Sequence, residues 1–292
     1  MARREGYGRG THVIAGGALA VATPEDLARE VLARFSAPDY EPPILPSVAM
    51  QLLELSRKSS TSFKDVERLL EQEPLLTGRV VRIAQSAAYA TREPVRNLEQ
   101  AISRLGLRTL TDLFLQVSIG AKIFRAPGFE KPMDRLRKHS ILAAHLSREL
   151  TRMLGAADDE AFLAGLLHDS GIAAMLILAA DFCAKKADPD LEHIWNAILE
   201  AHLRCIEVLA KSWKLSPELT ETLVRHHAPF VDGKPHRRAA LLCVADSLAG
   251  ELLPVGDERD DSAAEARRAL GLSDPDLERL RTLAHHIEKS LT

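Results

Sequence analysis

Apolar residues recur along the chain at intervals of three and four, the spacing that places them on one face of an α-helix. Val48, Leu52, Leu53 and Leu55 define such a face within Ser47–Ser56. Ser62 is placed to cap a second helix over Phe63–Glu73, and Pro74 to start a third whose face is Leu75, Leu76, Val80, Val81 and Ile83. Asn97 caps a fourth with Ala101, Ile102 and Leu105, stopped by Gly106, and Leu107–Phe124 forms a fifth. Ahead of these, Thr23-Pro24-Glu25-Asp26 reads as a helix start running to about Phe35. Ser36–Pro46, with Pro38, Pro42, Pro43 and Pro46, reads as a linker.

A second block follows Pro127-Gly128. It predicts helices over Asp134–Leu154, Asp158–Leu167, Gly171–Lys185, Leu191–Trp213, Pro217–His227 and His236–Leu252. An exposed acidic stretch, Asp257–Asp261, and a last helix from Asp274-Pro275 complete the chain. No segment alternates with period two between hairpin turns, so a substantial sheet is not expected. The fold class is all-α, a helical N-terminal part packed on a helical bundle. The expected divisions are an extension and linker (1–40), an N-terminal helical half (41–126), a second helical half (127–252) and a C-terminal extension (253–292).

Composition narrows the function classes. Hydrophobic residues make up 46% of the 292, enough for a sizeable core, while aromatics are only 4%. A formal net charge of -3 gives no basic field for nucleic acid. The most apolar run, Leu163–Ala180, is broken by His168, Asp169 and Ser170, so no membrane span is expected. Arg3, Arg4 and Arg9 before Val13–Ala22 superficially resemble a signal peptide, but Gly16-Gly17 and weak hydropathy argue for a cytoplasmic protein. Cys183, Cys205 and Cys243 form no CxxC pair and read as reduced core residues.

Seven residues of the second block carry candidate chemistry: His139, His168, Asp169, His202, His226, His227 and Asp246. Imidazole and carboxylate are the usual ligands of divalent transition metals. Asp246 lies inside the apolar segment Val244-Ala245-Asp246-Ser247, where a carboxylate is costly unless paired or ligating. Each also has a plain alternative. Asp246 could pair with Arg237 or Arg238, His226-His227 could face solvent at a helix end, and His202 could be a satisfied, half-buried residue.

The order His139, then His168-Asp169, then Asp246 resembles the HD superfamily of metal-dependent phosphohydrolases. His202 and His226-His227 match the extra histidines of its two-metal members. The resemblance is sharper to the HDOD (HD-related output domain) branch over roughly residues 41–250. In the first half it rests on Leu45-Pro46-Ser47-Val48, Glu71-Gln72-Glu73-Pro74-Leu75-Leu76, Ile83 to Tyr89 and Ala101-Ile102-Ser103-Arg104-Leu105-Gly106. In the second it rests on Ala164–Asp169, Glu200-Ala201-His202 and His226-His227. Glu73 and Gln85 stand where the branch usually has Asp and Asn.

This resemblance implies an all-α module of bacterial signal transduction with a protein partner, in a family generally regarded as lacking demonstrated hydrolase activity. It also implies one or two divalent ions (Fe, Mn or Zn). His139, His168, Asp169 and Asp246 would hold the first, and His202, His226 and His227 a second near Asp169. The alternative is a phosphohydrolase acting on a nucleotide or cyclic dinucleotide, with Asp169 central to catalysis. Against it, Ile172 replaces the Lys of His-Asp-x-Gly-Lys, the Glu and Gly-Tyr-Pro of the cyclic-di-GMP phosphodiesterase branch are missing after His226-His227, and Arg135 replaces that branch's Glu. A metal bound without turnover is the intermediate case. Lys138 and neighbouring cations are candidates to contact a small phosphorylated ligand.

Overall fold

The structure is a computed structural model, and it describes residues 24–57, 62–71, 74–85, 98–156, 158–183, 191–255 and 261–291. Thirteen helices and one two-stranded hairpin are formed by these residues. The N-terminal part comprises α1 (Pro24–Phe35), α2 (Ser47–Arg57), α3 (Phe63–Glu71), α4 (Pro74–Ala84) and α5 (Leu98–Lys122). The bundle comprises α6 (Glu130–Met153), α7 (Ala161–Leu167), α8 (Ser170–Cys183), α9 (Leu191–Ser212), α10 (Pro217–Val224) and α11 (Arg237–Gly250), followed by α12 (Asp261–Ala269) and α13 (Asp274–Ser290). Between α10 and α11, β1 (Phe230–Val231) pairs antiparallel with β2 (Lys234–Pro235). Residues 1–23, Glu73, Ser86 to Tyr89, the Asn97 cap and Asp257 to Asp260 lie outside the described residues.

α6 is the organising helix, because its sequence is apolar on two sides. Met133, Leu136 and Ile141 join a large core shared with α1 to α10. Leu142, Leu146 and Leu150 join a second core with Leu241, Val244 and Leu248 of α11 and Leu277, Leu280 and Ile287 of α13. α6 therefore packs on α7 and α11 at once, while α8 packs on α9 and α1 lies against both α8 and α9. The apolar run over Ala161–Asp181 spans α7 and α8, and 94% of its most apolar window is buried inside the molecule. It behaves as the core of a bundle.

Several boundaries differ from the expectation. α6 begins at Glu130 rather than Asp134: Pro132 falls in the first turn, where its missing N–H has no helical partner to lose. α7 begins at Ala161 rather than Asp158, because the Asp158 carboxylate accepts the Glu160 N–H and pairs with Arg238, closing a turn before the helix. The stop expected at Gly106 is a kink inside α5, where Gly106 leaves helical dihedrals (φ 78°, ψ 157°). α10 stops at Val224, not His227; Arg225 and the following turn carry the chain into the hairpin. α12 was not expected. Only Ala266 is fully buried on it, so it carries little apolar periodicity, and its signal is an acid at the start with Arg267 and Arg268 at the end.

Candidate metal centre

Four elements bring the candidate residues together. His139 lies mid-way along α6, His168 caps the C-terminus of α7, and Asp169 fills the single position between His168 and α8. Asp246 lies on α11, His202 on α9, and His226 and His227 follow α10. Two glycines permit this convergence. A Cβ on Gly165 would lie 2.5 Å from the backbone of Ala144, so only glycine lets α7 approach α6 this closely. A Cβ on Gly171 would lie 2.3 Å from the His202 carbonyl oxygen, so the close α8–α9 contact also needs a bare Cα.

One group is His139, His168, Asp169 and Asp246, all buried, with one ligand atom from each lying within 4.8 Å of the others. Asp246 Oδ1 stands 2.9 Å from His139 Nε2 and 3.2 Å from His168 Nε2. Asp169 Oδ2 is 3.2 Å from His168 Nε2 and 3.8 Å from His139 Nε2. The second group is His202, His226 and His227. Asp169 links the two: its other oxygen, Oδ1, is 3.9 Å from both His202 Nε2 and His226 Nε2. His227 Nδ1 lies 4.0 Å from Asp246 Oδ2 and is the most exposed member, at 40% of its side chain.

The backbone orients the rings. His139 Nδ1 donates to the Leu253 carbonyl (2.9 Å) and His168 Nδ1 to that of Gly165 (2.8 Å). His202 Nδ1 donates to Leu199 (2.5 Å) and His226 Nδ1 to Leu223 (2.6 Å). A ring whose Nδ1 carries the proton presents an Nε2 lone pair, the arrangement that suits a metal ligand. The buried Nε2 atoms of His202 and His226 have no hydrogen-bond partner among the described residues, and a buried polar nitrogen left so is costly. A cation beside Asp169 Oδ1 would satisfy both.

Electrostatics distinguish the groups. Burial opposes charge on His139 and His168, but the Asp246 and Asp169 carboxylates outweigh it and raise both pKa values, that of His168 well above the ordinary imidazole value. Burial likewise works against the charge on Asp169 and Asp246, yet His168 and His139 hold both carboxylates below their ordinary range. This group thus favours positive charge at its centre. Its two ring nitrogens stand only 3.2 Å apart, too close for two protons to share comfortably. One divalent cation meets the same demand. In the second group burial lowers His202 and His226, keeping them neutral and available as ligands near neutral pH.

The alternatives for Asp246, His202 and His226 do not hold, whereas His227 does reach solvent, with 40% of its side chain exposed. Arg237 donates to the Leu154 carbonyl and Arg238 pairs with Asp158 and Glu160, so neither neutralises Asp246. His226 is fully buried rather than at the surface, and His202 is buried with Nε2 unsatisfied. Lys138 pairs with Asp134 along α6 and is engaged there. Ile172 is buried in the core, so no cation occupies the place of the missing Lys. Cys205 and Cys243 are buried core residues, and the side chain of Cys183 lies outside the described residues. The carbonyls of Leu253, Leu199 and Leu223 were invisible in the sequence, since any residue supplies one; Gly165 and Gly171 were visible inside the motifs, but their role was not.

Comparison with known proteins fits this geometry. The profile of the HDOD domain matches residues 43–229, well over half of the chain. The chain belongs to the HDOD family. An HDOD domain protein of unknown function from Geobacter sulfurreducens superposes with a TM-score of 0.68 at 22% identity, covering 91% of this chain and 96% of that one. A candidate metal-dependent phosphohydrolase from Shewanella amazonensis SB2B gives 0.70 at 23% identity, covering 92% and 99%. A candidate signal transduction protein from Marinobacter aquaeolei VT8 gives 0.67 at 21% identity, covering 92% and 64%. At these identities the likeness shows a shared HDOD fold. An uncharacterised protein of Treponema pallidum is 22% identical over 196 residues, and the match spans 37% of that protein's length.

Proposed function

We propose that this HDOD chain is a metal-binding signalling module: ions held by two ligand groups that share Asp169 fix the arrangement of α6, α7, α9 and α11, and a partner protein reads the resulting helical platform. The observation that carries the metal half is the pair of buried, unpartnered Nε2 atoms on His202 and His226 facing one oxygen of Asp169. His139, His168, Asp169 and Asp246 would hold one ion, and His202, His226 and His227 with Asp169 a second. Such ions, when bound, would act as Lewis acids and lower the pKa of coordinated water. The chain's own contribution is to fix four imidazoles by backbone carbonyls and to keep the carboxylates ionised. HDOD membership supports the signalling half.

Phosphodiester hydrolysis is the second reading, favoured by one observation: both ligand groups are complete, and the His227 edge is open to solvent. Against it, the site carries no cation at Ile172 to assist a phosphate. The test is a metal-loaded preparation assayed with bis(p-nitrophenyl) phosphate, with Asp169→Asn beside it. The signalling reading predicts no turnover above background together with a melting temperature that falls on chelation. A ligand at a hundred times its Kd contributes about 2.7 kcal/mol of stability. Turnover abolished by Asp169→Asn would establish the hydrolase instead.

A further inference from the structure

A cavity of about 430 Å³ lies beside the metal centre without belonging to it. It sits between the first turns of α6, the start of α9 and the segment that follows α11. Pro132, Leu136, Trp195, Pro254 and Val255 give it apolar walls, and Lys131 and Arg135 stand exposed at its edge. These cations differ from their neighbours on α6. Arg137 and Lys138 are both paired with Asp134, whereas Lys131 and Arg135 have no acidic partner among the described residues. The indole of Trp195 is fixed as a wall by its Nε1–H, which donates to the Val255 carbonyl at 2.7 Å.

The same wall touches the metal centre from behind. Leu253, whose carbonyl accepts the Nδ1–H of His139, directly precedes Pro254 and Val255. His139 presents Nε2 to the carboxylates, so this hydrogen bond sets the ring from its other side. A molecule that shifts residues 253–255 therefore shifts the support of a ligand ring, and supports of this kind tune metal affinity. The volume is in the range of small-molecule sites, and apolar walls, an indole and two unpaired cations suit a flat apolar body carrying a phosphate.

We propose that this cavity binds a small phosphate-bearing aromatic ligand the size of a nucleoside monophosphate, and that its occupancy is transmitted to the metal centre through the Leu253–His139 hydrogen bond. The coupling clause rests on the metal-binding reading; the binding clause does not.

Calorimetric titration of the full chain with the four common nucleoside 5′-monophosphates, with adenosine and inorganic phosphate as controls, tests the first clause. At least one mononucleotide is expected to bind, more tightly than nucleoside or phosphate alone. The Lys131→Ala/Arg135→Ala pair removes two exposed side chains, and it is expected to weaken binding by about tenfold or more, equivalent to about 1.4 kcal/mol. Metal-stripped protein is expected to bind still, which separates this cavity from the metal centre. Binding by none of the four, binding equal in the double variant, or binding lost in the stripped protein overturns the clause. For the coupling, the same Kd is compared between metal-loaded and stripped wild type, since linkage is reciprocal. A change of about threefold or more is expected, and equal values overturn it. Metal content is measured on the same samples, so a chain that binds nucleotide but no metal disproves the metal reading while the cavity assignment stands.

Discussion

Asp246 illustrates how one residue's surroundings decide its role. Its carboxylate is held below the ordinary range by His168 and His139, at 3.2 and 2.9 Å, in a segment otherwise filled by Val244 and Ala245. Removing one partner from a buried charged set leaves the others uncompensated. Asp246→Ala is therefore expected to destabilise the metal-free protein by about 3 kcal/mol, read from urea denaturation; an unchanged midpoint would mean the two histidines do not depend on it. A second residue gives a pH signature away from the ligands. Burial beside Phe162 and Gln116 pushes His145 down to about 4. Its folded pKa is depressed, so the stability it contributes is fully present above about pH 6.5, its unfolded value, and is lost as pH falls toward 4. The melting temperature of His145→Phe is expected to fall less steeply than wild type across that window. At this scale the order of residues pointed to seven side chains that the structure gathers into two adjacent groups, whereas the carbonyls that orient the rings have no residue identity to betray them.

At the scale of elements, the site depends on how closely helices approach. Gly171 holds α8 against the His202 carbonyl and Gly165 holds α7 against α6, each at a distance no Cβ fits. Gly171→Ala is expected to cost about 1–3 kcal/mol by forcing the helices apart, and to weaken the His202 group of ligands more than the His139 group. Thermal unfolding and metal titration together check it; an alanine variant as stable as wild type would contradict the packing. Helix positions were legible wherever a cap or a proline coincided with apolar periodicity, as at Ser216-Pro217 and Ser273-Asp274-Pro275. They failed where those signals parted. α12 buries almost nothing, and α10 ends before His226, whose ring takes the Leu223 carbonyl while the Ala228 N–H turns back to Arg225.

Across the whole molecule, α5 meets α7, and a half-buried ion pair ties α5 to α6: Asp112 and Arg148 are joined by two contacts, with the Arg148 guanidinium 5.3 Å from the Phe162 ring centre. Nothing in either helix's own periodicity announced that pair, since it is specified only by how α5 meets α6 and α7. Asp112→Ala is expected to destabilise the protein by about 1–3 kcal/mol, read from thermal unfolding, and an unchanged melting temperature would contradict it. The candidate metal centre draws its residues from α6, the junction of α7 and α8, α9, α11 and the turn after α10. The most direct measurement is elemental analysis of the purified chain after reconstitution with iron, manganese or zinc, beside a folded Asp169→Asn variant. Two ions per chain in the wild type and fewer than one in the variant is the result predicted by a carboxylate shared between two ligand groups. A wild type that retains no metal would contradict it.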